Sequence, residues 1–237
     1  MCFSVMIERD LSKLSKLYMA EINEPAFEYF YERTQSHPEL YKLPQDEEGR
    51  IYAKGWAPIV TFVRGKREIR PMRYQLLPSF CKTPKYTRVN PDTGRDVEIK
   101  STYNARLDSL EKAKAWQNPF MKFHGIVPVK AFYEWVDRNG QTTQIEFFDP
   151  ERPMLHIPCL YDNWYSEDKS LVIQSFAIIT TDPTKEVLAK GHDRSPINLP
   201  ADKLDLWLKP EATDKQTVLS LLNLPLPNKF DSSFEAI

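Results

Sequence analysis

Six residues scattered through the chain carry side chains that could do chemistry together: Cys2, Asn104, Arg106, Glu134, His192 and Arg194. The chain begins MCFSVMIERD. A methionine followed by a residue as small as cysteine is a good target for removal. Removal would leave Cys2 with a free α-amine and a thiol on adjacent carbons. Such a 1,2-aminothiol condenses with an aldehyde and closes a thiazolidine ring. One cysteine at position 2 is no site by itself, so the other candidates decide whether a site surrounds it.

Glu134 is the sharpest anomaly among them. It lies in VKAFYEWVD, a stretch that reads as a strand. Alternation places Phe132, Glu134 and Val136 on one face and Tyr133 and Trp135 on the other. A carboxylate between Phe132 and Val136 on an apolar face must be paired or serve a purpose, because burying it unpaired is costly. Such surroundings raise its pKa toward the range of a general acid or base. The alternative is an edge strand with Glu134 in water. In KGHDRSPINL, His192 reads as a surface or capping group or as an acid/base. Arg194, two residues on, adds a guanidinium that matches phosphate geometry. In STYNARLDS, Asn104 either caps the helix that follows or belongs to a site, and Arg106 is either a surface arginine or an anion contact.

The elements that must position these residues follow from periodicity and turn signals. Residues 8 to 35 read as helix, interrupted near Pro25. Residues 57 to 64 and 67 to 77 read as strands, the second with a proline that suggests an edge or a bulge. Residues 81 to 100 carry the turn signal NPDTG and read as a long exposed loop or hairpin. A short helix is expected at 107 to 117. Strands follow near 126 to 136, 142 to 148, 154 to 161 and 171 to 180, with RNG at 138 to 140 as a hairpin turn. Helix returns at 184 to 190, 200 to 208 and 213 to 222. Runs of strands with helices at either end predict one α+β domain over residues 1 to 237.

Composition narrows the class. An apolar share of 41% and an aromatic share of 12% suit a chain that buries a core. Nineteen prolines against seven glycines point to loops and strand ends stiffened by fixed φ. No apolar run reaches the roughly 18 residues that a membrane span needs. The early charges Glu8, Arg9 and Asp10 leave no apolar signal segment. Cys2, Cys81 and Cys159 are odd in number and far apart, which argues against a disulfide framework and fits a reducing cytoplasm. His37, His124, His156 and His192 show no i, i+4 pair, and there is no CxxC, so no metal site is expected. Phosphate-cradling glycine motifs and a G-x-S-x-G elbow are also missing, so neither a nucleotide nor another cofactor is expected. Net charge is −1, yet residues 64 to 130 hold 15 lysines and arginines against 6 acids. That segment forms either a phosphate-binding face or an ordinary solvated surface.

The ordered set MC, NAR, FYEW and HDRSP resembles the SRAP family, the SOS-response-associated peptidases or abasic-site processing proteins. The likeness covers roughly residues 1 to 200. It implies a mixed, mainly antiparallel β core that is barrel-like, with peripheral helices. It implies covalent capture of abasic sites in single-stranded DNA by a monomeric protein that needs no cofactor. The α-amine of Cys2, with a reference pKa of about 7.7–8.0, would form a Schiff base with the ring-opened aldehyde. The thiol, with a reference pKa of about 8.5, would then add to the imine carbon. By similarity, Asn104 would position the sugar-derived end and Glu134 would shuttle protons. His192 would act as acid/base near the sugar and its phosphate, favouring lyase-type cleavage or reversal, and Arg106 and Arg194 would hold flanking phosphates. Trp56, Phe80 and Tyr86 are candidates for stacking on bases. The chain departs from the family pattern at MCFS, where members read MCGR, at Ser195 of HDRSP, and in lacking the C-terminal W-x-P-V-S…V-N segment. Two other readings stay open: an N-terminal-cysteine peptidase or amidohydrolase, and a non-covalent single-stranded DNA binding module.

Overall fold

The computed structural model describes residues 4–44, 48–138, 141–224 and 230–234. The chain opens with β1 (Ser4–Ile7), α1 (Leu11–Tyr18), β2 (Glu21–Ile22), α2 (Glu24–Ser36), β3 (Arg50–Ile51), β4 (Trp56–Val63) and β5 (Lys66–Tyr74). A small exposed hairpin follows, β6 (Thr87–Val89) with β7 (Asp96–Glu98), then β8 (Asn104–Arg106) and α3 (Lys114–Gln117). Four long strands come next: β9 (His124–Arg138), β10 (Gln141–Phe148), β11 (Leu155–Tyr165) and β12 (Val172–Thr181). The rest comprises α4 (Lys185–Ala189), β13 (Ser195–Pro196), α5 (Leu204–Leu208), α6 (Lys215–Leu222) and β14 (Asp231–Phe234).

Five strands close a barrel in the order β9, β4, β5, β12, β11 and back to β9. Most pairings are antiparallel; β12 meets β5 and β8 in parallel, as β2 meets β5. The expected α+β architecture with a barrel-like core is therefore the one observed. The longest strand, β9, changes partners along its length. Residues 124–129 pair with β11, and residues 131–138 pair with β10. β1 lies along residues 129–133 on the other edge. Alternation then sorts the side chains. Val127, Val129, Phe132 and Val136 join Ile59, Ile157, Phe176 and Ile178 inside the barrel. Ile126, Val60, Leu160, Ala177 and Ile179 face outward beneath a second apolar layer from Leu14, Tyr18, Trp207 and Val218. Both faces are covered, which is why these strands read as near-continuous apolar runs.

Two stretches expected as helix have identifiable local causes for the form they take. The one expected from 8 to 35 with an interruption near Pro25 is two helices, and the interruption falls just before Pro25. Asp10 caps α1 by accepting from the Lys13 N–H, and Met19 ends it at φ 47°. Asn23 then caps α2, whose first turn holds Pro25, where a missing N–H costs nothing. The helix expected at 107 to 117 is a 3₁₀ turn at Leu107–Ser109 followed by the four residues of α3, neither with a side-chain cap. The hairpin turn expected at RNG falls partly outside the described residues, but Arg138 pairs with Gln141 across it.

Gly125 is where closure is tightest. It pairs with Thr61 on one side and Cys159 on the other. A β-carbon there would stand 2.8 Å from Ile59 Cγ2 and 3.0 Å from Cys159 Sγ, both buried. Gly125→Ala should therefore lose about 1–3 kcal/mol, the usual range for overpacking. Urea unfolding followed by circular dichroism measures this, and an unchanged midpoint would contradict the closure geometry.

Candidate functional site

Glu134 lies on the interior face of β9, as strand alternation required. Its side chain is 1% exposed between Phe132 and Val136, and its cross-strand partner on β10 is Ile145. Burial pushes its carboxyl above the ordinary value of 4.5, while a hydrogen bond from His192 pulls the other way. The two side chains meet at 3.0 Å, His192 Nε2 to Glu134 Oε2.

The loop after α4 brings His192 there. Thr184 caps α4 through the Val187 N–H. Gly191 closes the helix at φ +94°, a conformation that glycine adopts without strain, and a β-carbon there would lie 3.9 Å from Val136 Cβ of β9. The His192 N–H donates back to the Val187 carbonyl, which turns the ring toward β9. His192 Nδ1 lies 3.0 Å from the Arg194 carbonyl and 3.3 Å from the Arg194 N–H, so the turn at residues 192–194 holds the ring through that nitrogen. With Nδ1 so engaged, Nε2 is left facing Glu134 Oε2.

Asn104 reaches the same interior by strand register rather than as a helix cap. β8 runs parallel to β12 with Asn104 beside Ile178, Ala105 beside Ile179 and Arg106 beside Thr180. Ile178 belongs to the interior cluster and Ile179 to the outer one. Asn104, 4% exposed, therefore shares the face on which Glu134 sits. Thr180 marks the end of that face. Arg106 is exposed beside it and grips Asp108 in a two-point ion pair, with contacts of 3.1 and 2.7 Å, which holds the Asp108 carboxyl below its usual range. Arg194 is buried; it donates to the Thr180 carbonyl at 3.3 Å and to Asp182 at 3.4 Å. Both arginines thus flank the end of β12. Cys2 lies outside the described residues. Among the described residues, no group of three His, Cys, Asp or Glu side chains could hold a metal ion.

The class the fold defines is a closed β barrel whose interior holds a buried carboxylate–imidazole pair and an asparagine. The model for the SRAP family, SOS response associated peptidases, matches residues 1–233, and this chain belongs to that family. It is 29% identical over 134 residues to abasic site processing protein YoaM of Bacillus subtilis, covering 56% of this chain and 58% of that one. It is 26% identical over 171 residues to an abasic site processing protein of Saccharomyces cerevisiae, covering 71% of this chain and 42% of that one. The chain thus aligns with only part of the length of these relatives. Crystal structures from Bacteroides thetaiotaomicron and Bordetella bronchiseptica share the fold. The first has a TM-score of 0.74 at 22% identity and covers 98% of this chain and 91% of that one. The second has a TM-score of 0.70 at 15% identity over the full length of both chains.

Two residues escaped the sequence reading. At position 4, where the family pattern has arginine, Ser4 Oγ accepts two hydrogen bonds of 3.1 Å from Arg50. The Arg50 guanidinium also lies 3.7 Å from the Tyr133 ring centroid. A guanidinium therefore stands beside position 4, supplied from 46 residues away, and no local signal announces it. The second is Trp135, 39% exposed on the outer face of β9. Among the aromatics singled out for stacking, Trp56 is 4% exposed and packs on Tyr41 and Phe30, so it is a core residue. Phe80 and Tyr86 stay at the surface and meet edge-on at 5.6 Å.

Because its folded pKa is raised, Glu134 contributes stability that is complete below the unfolded value near 4.5 and is lost as pH rises through the folded value. Glu134→Gln should therefore flatten the fall in stability above pH ~4.5. Urea midpoints for both proteins between pH 5 and 8 test this; parallel curves would refute the burial effect.

Proposed function

We propose that this protein processes abasic sites in single-stranded DNA and captures them covalently through Cys2 once Met1 is gone. The family and the names of its relatives support the substrate. The observation that carries the chemistry is the buried Glu134–His192 pair beside the start of the chain. β1 runs antiparallel to β9 with Ser4 opposite Tyr133, the neighbour of Glu134. That pairing brings Ser4, the first described residue, alongside the acid-bearing strand.

The ring-opened abasic sugar presents an aldehyde. The Cys2 amine adds to its carbon, and the oxygen departs as water after taking up protons. The thiol then adds to the imine carbon, its proton passing to nitrogen, and the five-membered thiazolidine closes with one water lost in all. A proton donor and acceptor must serve both sugar ring opening and water loss. Glu134 fits that role because burial keeps its carboxyl protonated above the usual range, and His192 returns the proton. Asn104 positions the sugar-derived end from the neighbouring strand. Arg106 is exposed toward flanking phosphates, whereas Arg194 contributes mainly by holding the His192 loop to β12. The family description as peptidases suits removal of Met1 by the protein itself, and strand cleavage by elimination from the imine is a competing outcome at the same carbon.

Intact-protein mass before and after incubation with an abasic single-stranded oligonucleotide tests the reading. The expected result is loss of Met1 followed by a heat-stable adduct that Cys2→Ala abolishes. Glu134→Gln and Asn104→Ala should slow adduct formation by about 10²-fold or more, in the range typical for lost acid/base or positioning groups. A free Cys2 that forms no adduct would favour the amide-nucleophile reading. Salt-sensitive binding indifferent to Cys2 would favour a non-covalent DNA-binding module.

A further inference from the structure

Arg73 presents a problem the abasic-site chemistry does not address. It sits on β5, next to Trp56 of β4 and Ser175 of β12 in register, and is 4% exposed. Its Nε has no partner, and among the described residues the guanidinium makes no hydrogen bond or ion pair. A buried cation without a hydrogen-bonded counter-charge is expensive. Tyr41 and Glu98 act on it electrostatically, and the Glu98 carboxylate is already bonded to Lys54 at 3.1 Å.

Arg73 lines a small cavity at the root of the β6–β7 hairpin. The same cavity is lined by Thr102, whose hydroxyl is also buried and without a partner. Lys54, Lys85 and Glu98 line it as well, so three cations face one carboxylate. Gln75 is there too, but its amide is bonded to the Lys100 carbonyl. The free space is about 10 Å³, enough for one water-sized group. A water would satisfy donors but leave the charge. An anionic oxygen does both, and guanidinium geometry suits it. Burial draws the Arg73 pKa down to about 10, the direction expected of a buried charge that a bound anion would offset.

We propose that the Arg73 cavity is a phosphate site. One anionic oxygen enters to meet Arg73 and the Thr102 hydroxyl, while the rest of the group stays at the rim with Lys54 and Lys85. Its source is either a DNA phosphodiester or free inorganic phosphate. The site is separate from Glu134 and His192, and its existence does not depend on abasic-site capture.

Thermal unfolding of the full chain in sodium phosphate, against sodium gluconate at equal ionic strength, tests it. At ten times the dissociation constant, phosphate should raise Tm by about 3–6 °C. Arg73→Met should abolish the rise, and Thr102→Val should reduce it, which keeps the test open if the first variant does not fold. No rise in the wild type, or an equal rise in wild type and variants, would overturn the site. Fluorescence anisotropy with an intact single-stranded oligonucleotide then separates the sources. Loss of about 0.7 from the salt slope in Arg73→Met identifies a DNA phosphate. An unchanged slope with the phosphate shift lost identifies free phosphate.

Discussion

A carboxylate enclosed by Phe132, Val136 and Ile145 has to be reconciled with its surroundings, and a 3.0 Å contact with His192 is part of how this protein does it. Much of the local architecture follows from that need. The ring must arrive from another part of the chain at the right height on β9. A five-residue helix, a glycine in the left-handed region and a hydrogen bond from the His192 N–H deliver it. Arg194 then pins the loop to the end of β12, so the buried arginine serves the histidine that precedes it. The pair sits in a low-dielectric pocket, where electrostatic interactions are strong and rearrangement is restricted.

The barrel supplies the frame for this contact. β9 can belong to the closed barrel in its first half and carry Glu134 in its second because it exchanges β11 for β10 midway. The exchange leaves its other edge open to β1, which places the beginning of the described chain beside the acid. Gly125 permits the close approach of three strands that closure demands. The outer face is held separately. His124 stacks on Trp207 at 3.8 Å and bonds to the Trp207 carbonyl, while the indole donates to Gly125. Burial drives that histidine down to about 4, so it stays neutral and structural at ordinary pH.

Prolines and charges in β5 illustrate how local signals mislead. Pro71 suggested an edge or a bulge, and β5 lies within the barrel between β4 and β12. Pro71 stands opposite Pro58, which places both at a position where no cross-strand N–H is needed. On its other side, β2 pairs with residues 68–69 and β12 with residues 73–74, so Pro71 falls in the gap between them. The same enclosure turns Arg73, an apparently ordinary member of the basic segment, into a buried cation.

What the sequence by itself determined was mostly periodic. The two-residue alternation around Glu134 placed it inside, the long apolar runs marked barrel strands, and NPDTG marked an exposed hairpin. The ordered motifs pointed to the family. Short strands such as β1 and β8 were invisible, because three or four residues carry too little periodicity and are stabilised by neighbours far along the chain. Trp56 and Trp135 could not be told apart by type, since an aromatic ring suits core and surface alike, and only packing against Tyr41 and Phe30 buried the first. Tertiary structure alone decided that His192 meets Glu134, that Arg50 stands at Ser4, and that Arg73 makes no hydrogen bond or ion pair among the described residues. Each is a contact across 46 residues or more, or the want of one, and such contacts arise from strand register and barrel closure.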